Sequence, residues 1–287
     1  MSKYPQNLLA SLRVVGPVDL AERATGEPKW WPKKAPQTKA QAAKRLAEIA
    51  LELAELQERL FASASHGVIN DSLLLLLQGM DTSGKGGIVR HVMGLFDPQG
   101  VDHHAFKTPT DEEKEHDFLW RVEKQLPKPG HIGVFDRSHY EDVLIHKVQK
   151  LSTGRQIQGR YRRIPTFERK LGERGIHLFK VMLHISADEQ YARLRERLDR
   201  PDKHWKYSPG DVDDRLLFAE YQQAYEIAIE RTATEDAPWY VIPADQKWRA
   251  RLCVAELLLA SLRDIDPQWP EADFDVSAEK KRLSETK

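Results

Sequence analysis

The chain has 287 residues and a mass of 33.0 kDa, which bounds it to one large α/β domain or two small ones. Lys plus Arg and Asp plus Glu both total 44, so there is no global basic excess of the kind that marks nucleic-acid binding, and any anion-binding surface must be local. No apolar run approaches the ~20 residues that cross a bilayer, Met1-Ser-Lys-Tyr-Pro lacks a signal peptide's apolar stretch, and the single Cys253 excludes a disulfide framework or a cysteine-rich metal site.

A reducing cytoplasm without membrane contact is the expected setting. The first 37 residues, punctuated by Pro5, Pro17, Pro28, Pro32 and Pro36, predict an irregular arm, with Trp30-Trp31 pinning it to the body. From Thr38 to about Ala62, Leu46, Ile49, Leu53, Leu56 and Leu60 recur at helical spacing. Ser72 to Gln78 is a buried strand by its continuity, and a helix from about Gly86 to Phe96 follows a glycine turn. A short strand at Val101 to Phe106 leads to Thr110-Asp-Glu-Glu113, a capping box that opens a helix to about Gln125. His131 to Phe135 reads as a strand, with helical stretches from about Tyr140 and over Arg163 to Glu173, closed by Gly175. Ile176 to Ile185 is a further strand. Charged helices at about Asp188 to Leu198 and Asp213 to Arg231, a strand at Trp239 to Ile242 and a helix at Lys247 to Leu262 complete the pattern. Alternating apolar strands and helices predict a three-layer α/β domain over 38–265 with a parallel sheet. Residues 266–287 predict a loose polar tail.

Gly79-Met-Asp-Thr-Ser-Gly84-Lys85-Gly86-Gly87 lies between that buried strand and a helix, the context of a phosphate-binding Walker A loop. Glycines let successive backbone N–H groups turn towards phosphate oxygens, and Lys85 sets a cation where charge gathers during transfer. Gly79, Ser83, Gly84, Gly86 and Gly87 are the candidate cradle. The usual magnesium-binding hydroxyl after the lysine is replaced by Gly86, so Asp81, inside the loop, is the candidate to hold metal. An ordinary GTPase is thereby disfavoured. The competing reading is a glycine turn with a chance lysine.

Asp136 closes the apolar strand of His131 to Phe135, at the sheet end where α/β proteins bind ligands. It can hold magnesium, orient or deprotonate an attacking phosphate oxygen, or merely cap the next helix. Arg137 beside it offers a planar fork for phosphate. A basic segment over about 188–212 carries Arg193 and Arg197 on one helix face, then Lys203 and Lys206. It reads either as a lid closing over phosphates or as a solvated face whose arginines pair with Glu189 and Glu196.

Together these segments resemble the polyphosphate kinase 2 family. The matching residues are the Gly79–Gly87 loop, Phe106-Lys107-x-Pro109-Thr110, His116-Asp-Phe-Leu-Trp-Arg121, Phe135-Asp136-Arg137-Ser138-His139-Tyr140-Glu141-Asp142, the lid, and Ala237-Pro-Trp-Tyr-Val-Ile-Pro-Ala-Asp245-x-Lys247-Trp248. In family order they cover about Ser72 to Leu262, and the glycine after Lys85 is normal there. The resemblance implies a P-loop kinase architecture, a fold like thymidylate kinase with a helical lid, and reversible magnesium-dependent phosphoryl transfer between inorganic polyphosphate and AMP, ADP or ATP. It implies Asp81 and Asp136 at the metal, Lys85 on the loop-bound phosphates, and Arg137, Arg193 and Arg197 on the transferring group. Lys107 and Arg121 would line the phosphate or nucleotide channel, and Lys203 and Lys206 would meet polyphosphate. Members restricted to diphosphates read Asp-Arg-Ser-Trp-Tyr-Asn-Arg after the third strand. Here Asp136-Arg-Ser-His139-Tyr-Glu141-Asp142 resembles the subclass that also phosphorylates AMP, with Glu141 meeting an adenine amino group or placing a metal. Homo-oligomers are common in the family, and the Thr38 to Ala62 helix and Trp30-Trp31 are the candidate interfaces.

The expected mechanism puts the nucleotide's terminal phosphate in the loop, from where it attacks the end of polyphosphate in line. His116 and His139 are read as structural rather than as phosphate carriers. The competing functions are an ATP-dependent nucleoside or nucleoside monophosphate kinase and a non-catalytic nucleotide- or polyphosphate-binding regulator.

Overall fold

The computed structural model describes residues 4–287. The chain opens with helix α1 (Tyr4–Leu12) and the two-residue strand β1 (Arg13–Val14), correcting the expectation of a wholly irregular arm over 1–37. Leu8 and Leu12 are fully buried, so this short helix is held by packing rather than by propensity. Tyr4 donates to Glu256 at 2.6 Å, a tie between opposite ends of the chain. Trp31 packs edge-on against Trp248 with the Arg249 guanidinium 4.5 Å from its ring centroid, which pins the arm as expected.

The body runs α2 (Lys39–Ser65), β2 (Ser72–Gln78), α3 (Lys85–His91), β3 (Val101–Ala105), α4 (Asp111–Glu115), α5 (Trp120–Glu123), β4 (Ile132–Asp136), α6 (Ile145–Val148) and α7 (Gly154–Glu173). It continues through β5 (Ile176–His184), α8 (Ala187–Asp199), α9 (Gly210–Leu216), α10 (Phe218–Thr232), β6 (Trp239–Pro243), α11 (Lys247–Ile265) and α12 (Val276–Ser284). The sheet order is β1-β6-β5-β2-β4-β3, parallel except for β1 against β6. The mixed α/β domain expected from the pattern is therefore present, with one antiparallel strand added at its edge.

Central β2 explains the layering. Leu73, Leu75 and Leu77 face a core shared with α1, α2, α3 and α11, while Leu74 and Leu76 face the core of α7 and α10. All five are fully buried, each worth roughly 1.5–3 kcal/mol. Two expectations shift in detail. The helix over 110–125 splits into α4 and α5, because Asp117 accepts from the Leu119 N–H and pairs with Arg163, a local turn that competes with helix. The tail is not featureless, since α12 forms in it, capped by Asp275 and exposed throughout.

Beneath the site lies one buried ion pair, Lys180 on β5 to Glu168 on α7 at 2.7 Å. Glu168 also accepts from the Tyr140 hydroxyl at 2.6 Å, and Lys180 donates to the Thr232 carbonyl. Burial would raise the Glu168 carboxyl, but Lys180 and His139 outweigh it and hold it below its ordinary value. Burial pulls Lys180 down, with Glu168 offsetting only part. Lys180→Met strands an unpaired buried carboxylate and is expected to cost about 3–5 kcal/mol. The double variant Lys180→Met/Glu168→Gln should recover part of that loss in urea denaturation, and equal losses for the two would show the pair to be uncoupled.

Candidate active site

In the parallel pair β2–β4, Leu77 lies opposite Asp136. The loop leaving β2 and the acid ending β4 thus emerge side by side at the carboxyl edge of the sheet, where α/β sheets place ligands. The loop is tightly built. Gly79 has φ 145°, and a Cβ there would stand 2.7 Å from the Leu183 carbonyl, so only glycine fits. Its N–H donates to the Tyr225 hydroxyl at 2.9 Å, and Lys85 Nζ donates to the Gly79 carbonyl at 2.7 Å. Gly84 (φ 117°) and Thr82 (φ 66°) complete the turn. The Ser83 hydroxyl is buried without a protein partner, facing the cradle it was assigned to. A side chain at Gly86 would meet nothing within 4 Å.

The charges alternate across this edge. Arg137, itself at φ 66°, donates to Asp81 at 2.9 Å and lies 4.0 Å from Glu141. Burial would lower its guanidinium, but Glu141, Asp81 and Asp136 outweigh that and keep it charged. Lys85 is held below its ordinary value by burial and then by Arg137, against the pull of Asp136, Asp81 and Glu141. Burial raises the Glu141 carboxyl, with Arg137 and Lys85 opposing. Glu141 therefore sits among charged groups, with Leu144 and Ile145 on another wall of the same space. The Asp136 carboxylate accepts no hydrogen bond from the described residues, while its backbone carbonyl takes the Phe106 N–H. Of the expected site residues, the structure brings together Gly79, Asp81, Ser83, Gly84, Lys85, Gly86, Gly87, Asp136, Arg137 and Glu141.

Arg193 departs from expectation. Its Nε donates to Glu189, one terminal nitrogen to the Thr82 and Ser83 carbonyls, and the other to the Ala244 and Asp245 carbonyls. A guanidinium has five N–H donors, and here protein acceptors occupy all five. In this conformation Arg193 holds the loop in shape and has no donor left for a transferring phosphate. Arg121 is likewise buried, donating to the Lys107 carbonyl at 2.9 Å and stacking over Phe106. It fixes the turn that carries Lys107, whose own side chain is exposed. Arg197 pairs with Asp211 at 3.0 Å, Lys203 with Glu196, and exposed Lys206 lies over Trp205. The solvated-face alternative for the lid is thus partly realised, in Arg193–Glu189 and Arg200–Glu196. His139 is buried 3.4 Å from Glu168 and His116 stacks on Trp120, both structural.

Sequence reasoning missed Tyr221, Tyr225 and Asp214, which wall a small cavity of about 30 Å³ with Gly79, Asp81, Arg137 and Glu141. Tyr221 donates to Asp214 at 2.8 Å, and Gln149 donates to the same oxygen. That space holds a water or two and is open to solvent on one side. No local signal marks these three residues, since they meet the loop only through the fold. A larger groove of about 620 Å³, lined by Arg169, His177 and Asp236 among others, lies towards the other end of β5 and touches neither the loop nor Asp136.

The comparisons with known proteins agree with this geometry. The model of a family described as polyphosphate kinase 2 matches residues 36–270. An AMP/ADP-polyphosphate phosphotransferase of Meiothermus ruber is 45% identical over 235 residues, 82% of this chain and 86% of that protein. An ADP-polyphosphate phosphotransferase of Rhodopseudomonas palustris is 40% identical over 231 residues, 76% of this chain and 78% of that one. A crystal structure of polyphosphate kinase 2 from Arthrobacter aurescens TC1 superposes with a TM-score of 0.93 at 49% identity, covering 99% of both chains.

Arg193→Lys keeps the charge but cannot reach four carbonyls at once. Its turnover is expected to fall about a hundredfold from loop displacement, with a lower urea midpoint. Unchanged stability with only a raised KM for a phosphate substrate would instead make Arg193 a substrate ligand.

Proposed function

The chain belongs to the polyphosphate kinase 2 family, and we propose that its site transfers the terminal phosphoryl group of inorganic polyphosphate to AMP or ADP, reversibly. The observation that carries this is the free Asp136 carboxylate beside Lys85, Arg137 and Asp81. Arg137 and Asp81 line the small cavity, and Lys85 and Asp136 act on Arg137 from beside it, so cations for phosphates and acids to position them gather at one edge of the sheet. A non-catalytic binder has no need of such an arrangement.

Walker loops cradle the donor's phosphates, and the donor here is the polyphosphate chain. We therefore assign the chain end to the Gly79–Gly87 loop and Lys85. The nucleotide phosphate then belongs in the cavity bounded by Arg137, Glu141 and Tyr225, the reverse of the order expected from the sequence. That side carries Asp81, Glu141 and Asp214, which would repel an uninterrupted polyanion but suit a single phosphate held by Arg137. Glu141 so placed favours its role in setting phosphate or metal over contact with adenine. Its presence, and the Meiothermus relative's name, support AMP as well as ADP as acceptor.

An oxygen of the nucleotide phosphate attacks the terminal phosphorus of the chain. The bond from that phosphorus to its bridging oxygen breaks, and the shortened chain leaves with the electron pair, its new charge facing Lys85. The phosphate oxygen is already deprotonated near neutrality, so Asp136 has no proton to remove there, and its carboxylate would act by holding a cation beside that oxygen. Arg137 holds the transferring group in line. His116 stacks on Trp120 and His139 lies against Glu168, so neither histidine is placed to carry a phosphoryl group, which supports direct transfer.

Magnesium fits the donor set. No cluster of three or more metal-binding side chains occurs among the described residues, yet magnesium commonly takes one or two carboxylates and completes its shell with substrate phosphates. Asp81 and Asp136 would hold it. When bound it supplies positive charge shared between the two phosphates. A cytoplasmic homo-oligomer completes the reading, supported by the buried free thiol of Cys253 and by Trp30 and Leu51 as exposed apolar side chains.

Purified protein incubated with AMP or ADP, long-chain polyphosphate and magnesium should form ADP and ATP with no ATP supplied. Asp136→Asn should lose at least about a hundredfold in kcat while keeping its melting temperature. Product formed only when ATP is added would replace this reading with a conventional nucleotide kinase.

A further inference from the structure

Resting on the reading that a phosphate chain enters by the loop, we infer that the chain runs on past Gly87 along a strip of cations formed by Arg90, His91 and Arg251, a second polyanion subsite that favours long chains over short ones. The strip begins where the loop ends. A guanidinium nitrogen of Arg251 stands 3.7 Å from the position a Cβ on Gly87 would take. Arg90 lies about one helical turn, ~5 Å, further along α3, with His91 next to it. Lys247, one turn before Arg251 on the same face of α11, pairs with Glu196 at 3.8 Å, so the acid-free strip is confined to Arg90, His91 and Arg251.

The strip differs from the other basic residues in lacking acids. Arg137, Arg193, Arg197 and Arg200 each face a carboxylate. Arg251 is half-buried, and the charged group acting on it is another cation, Arg90. His91 feels only Arg251 and Arg90. Burial, and then these like charges, hold both groups below their ordinary values. Among the described residues none of the three forms an ion pair. In a chain with 44 cationic and 44 anionic side chains, a local surplus of this kind beside the loop is complementary to a ligand that brings its own repeating negative charge. Arg251 and Gly87 also sit on different elements, α11 and α3, so the strip is not one helix's solvated face.

Equilibrium binding at several salt concentrations tests this without requiring turnover. Long-chain polyphosphate and tripolyphosphate, which is too short to span loop and strip, would be titrated into wild type, Arg90→Ala/Arg251→Ala and Arg90→Lys/Arg251→Lys. The alanine pair is expected to weaken long-chain binding about tenfold at low salt, with a clearly smaller effect on tripolyphosphate. The slope of log affinity against log salt should flatten by about two, and the lysine pair should keep most of the affinity. An equal loss on both ligands, or none on the long chain, would overturn the strip while leaving the loop assignment intact. Failure of the folded wild-type protein to bind long-chain polyphosphate at all would overturn the proposed function itself, and the strip with it.

Discussion

Because β2 and β4 run parallel with Leu77 opposite Asp136, the turn that follows one strand and the acid that ends the other are held at the same height on the sheet edge. Both strands are buried on two faces, so a slip of register would break the packing on each face at once and is strongly opposed. That rigidity is what allows five charged groups to stand within reach of one another. Lys85 and Arg137 would repel, as would Asp81, Asp136 and Glu141, but the strands leave them no freedom to separate. The site is in effect a set of charges awaiting phosphates, pre-organised at the expense of local electrostatic comfort.

The supports of the loop come from far along the chain. Tyr225 on α10 takes the Gly79 N–H, and Arg193 on α8 takes the Thr82 and Ser83 carbonyls together with those of Ala244 and Asp245. Arg193 therefore ties the phosphate loop to the end of β6 and to the first helix of the lid at once. Any movement of α10 would pull on Tyr225 and so be felt at the loop. The buried Lys180–Glu168 pair sets Tyr140 from below, which fixes the short segment between Arg137 and Glu141 from its other side.

Much of this was legible in the sequence where the signal is local. Leu73 to Leu77 announce a strand buried on both faces, Gly79 to Gly87 a phosphate loop, Thr110 with Glu113 a helix start, and the position of Asp136 after an apolar run a ligand-facing acid. What stayed hidden depends on partners distant in the chain. Arg193 looks like a free lid cation until the four carbonyls it holds are brought to it. Tyr225 and Asp214 carry no motif. Helix α1 is masked by the prolines around it and exists because Leu8 and Leu12 are buried against the body. Helix α7 begins at Gly154 rather than near Arg163, and its sequence mark is the capping box of Thr153 and Gln156.

The account rests on two phosphates meeting directly across Asp136, with no phosphorylated protein between them. Initial rates measured while nucleotide and polyphosphate are varied together test that most directly. Double-reciprocal lines that intersect, the sign of a complex holding both substrates at once, are the predicted result. Parallel lines, with a phosphorylated protein isolable after polyphosphate alone, would be ping-pong behaviour and would contradict it.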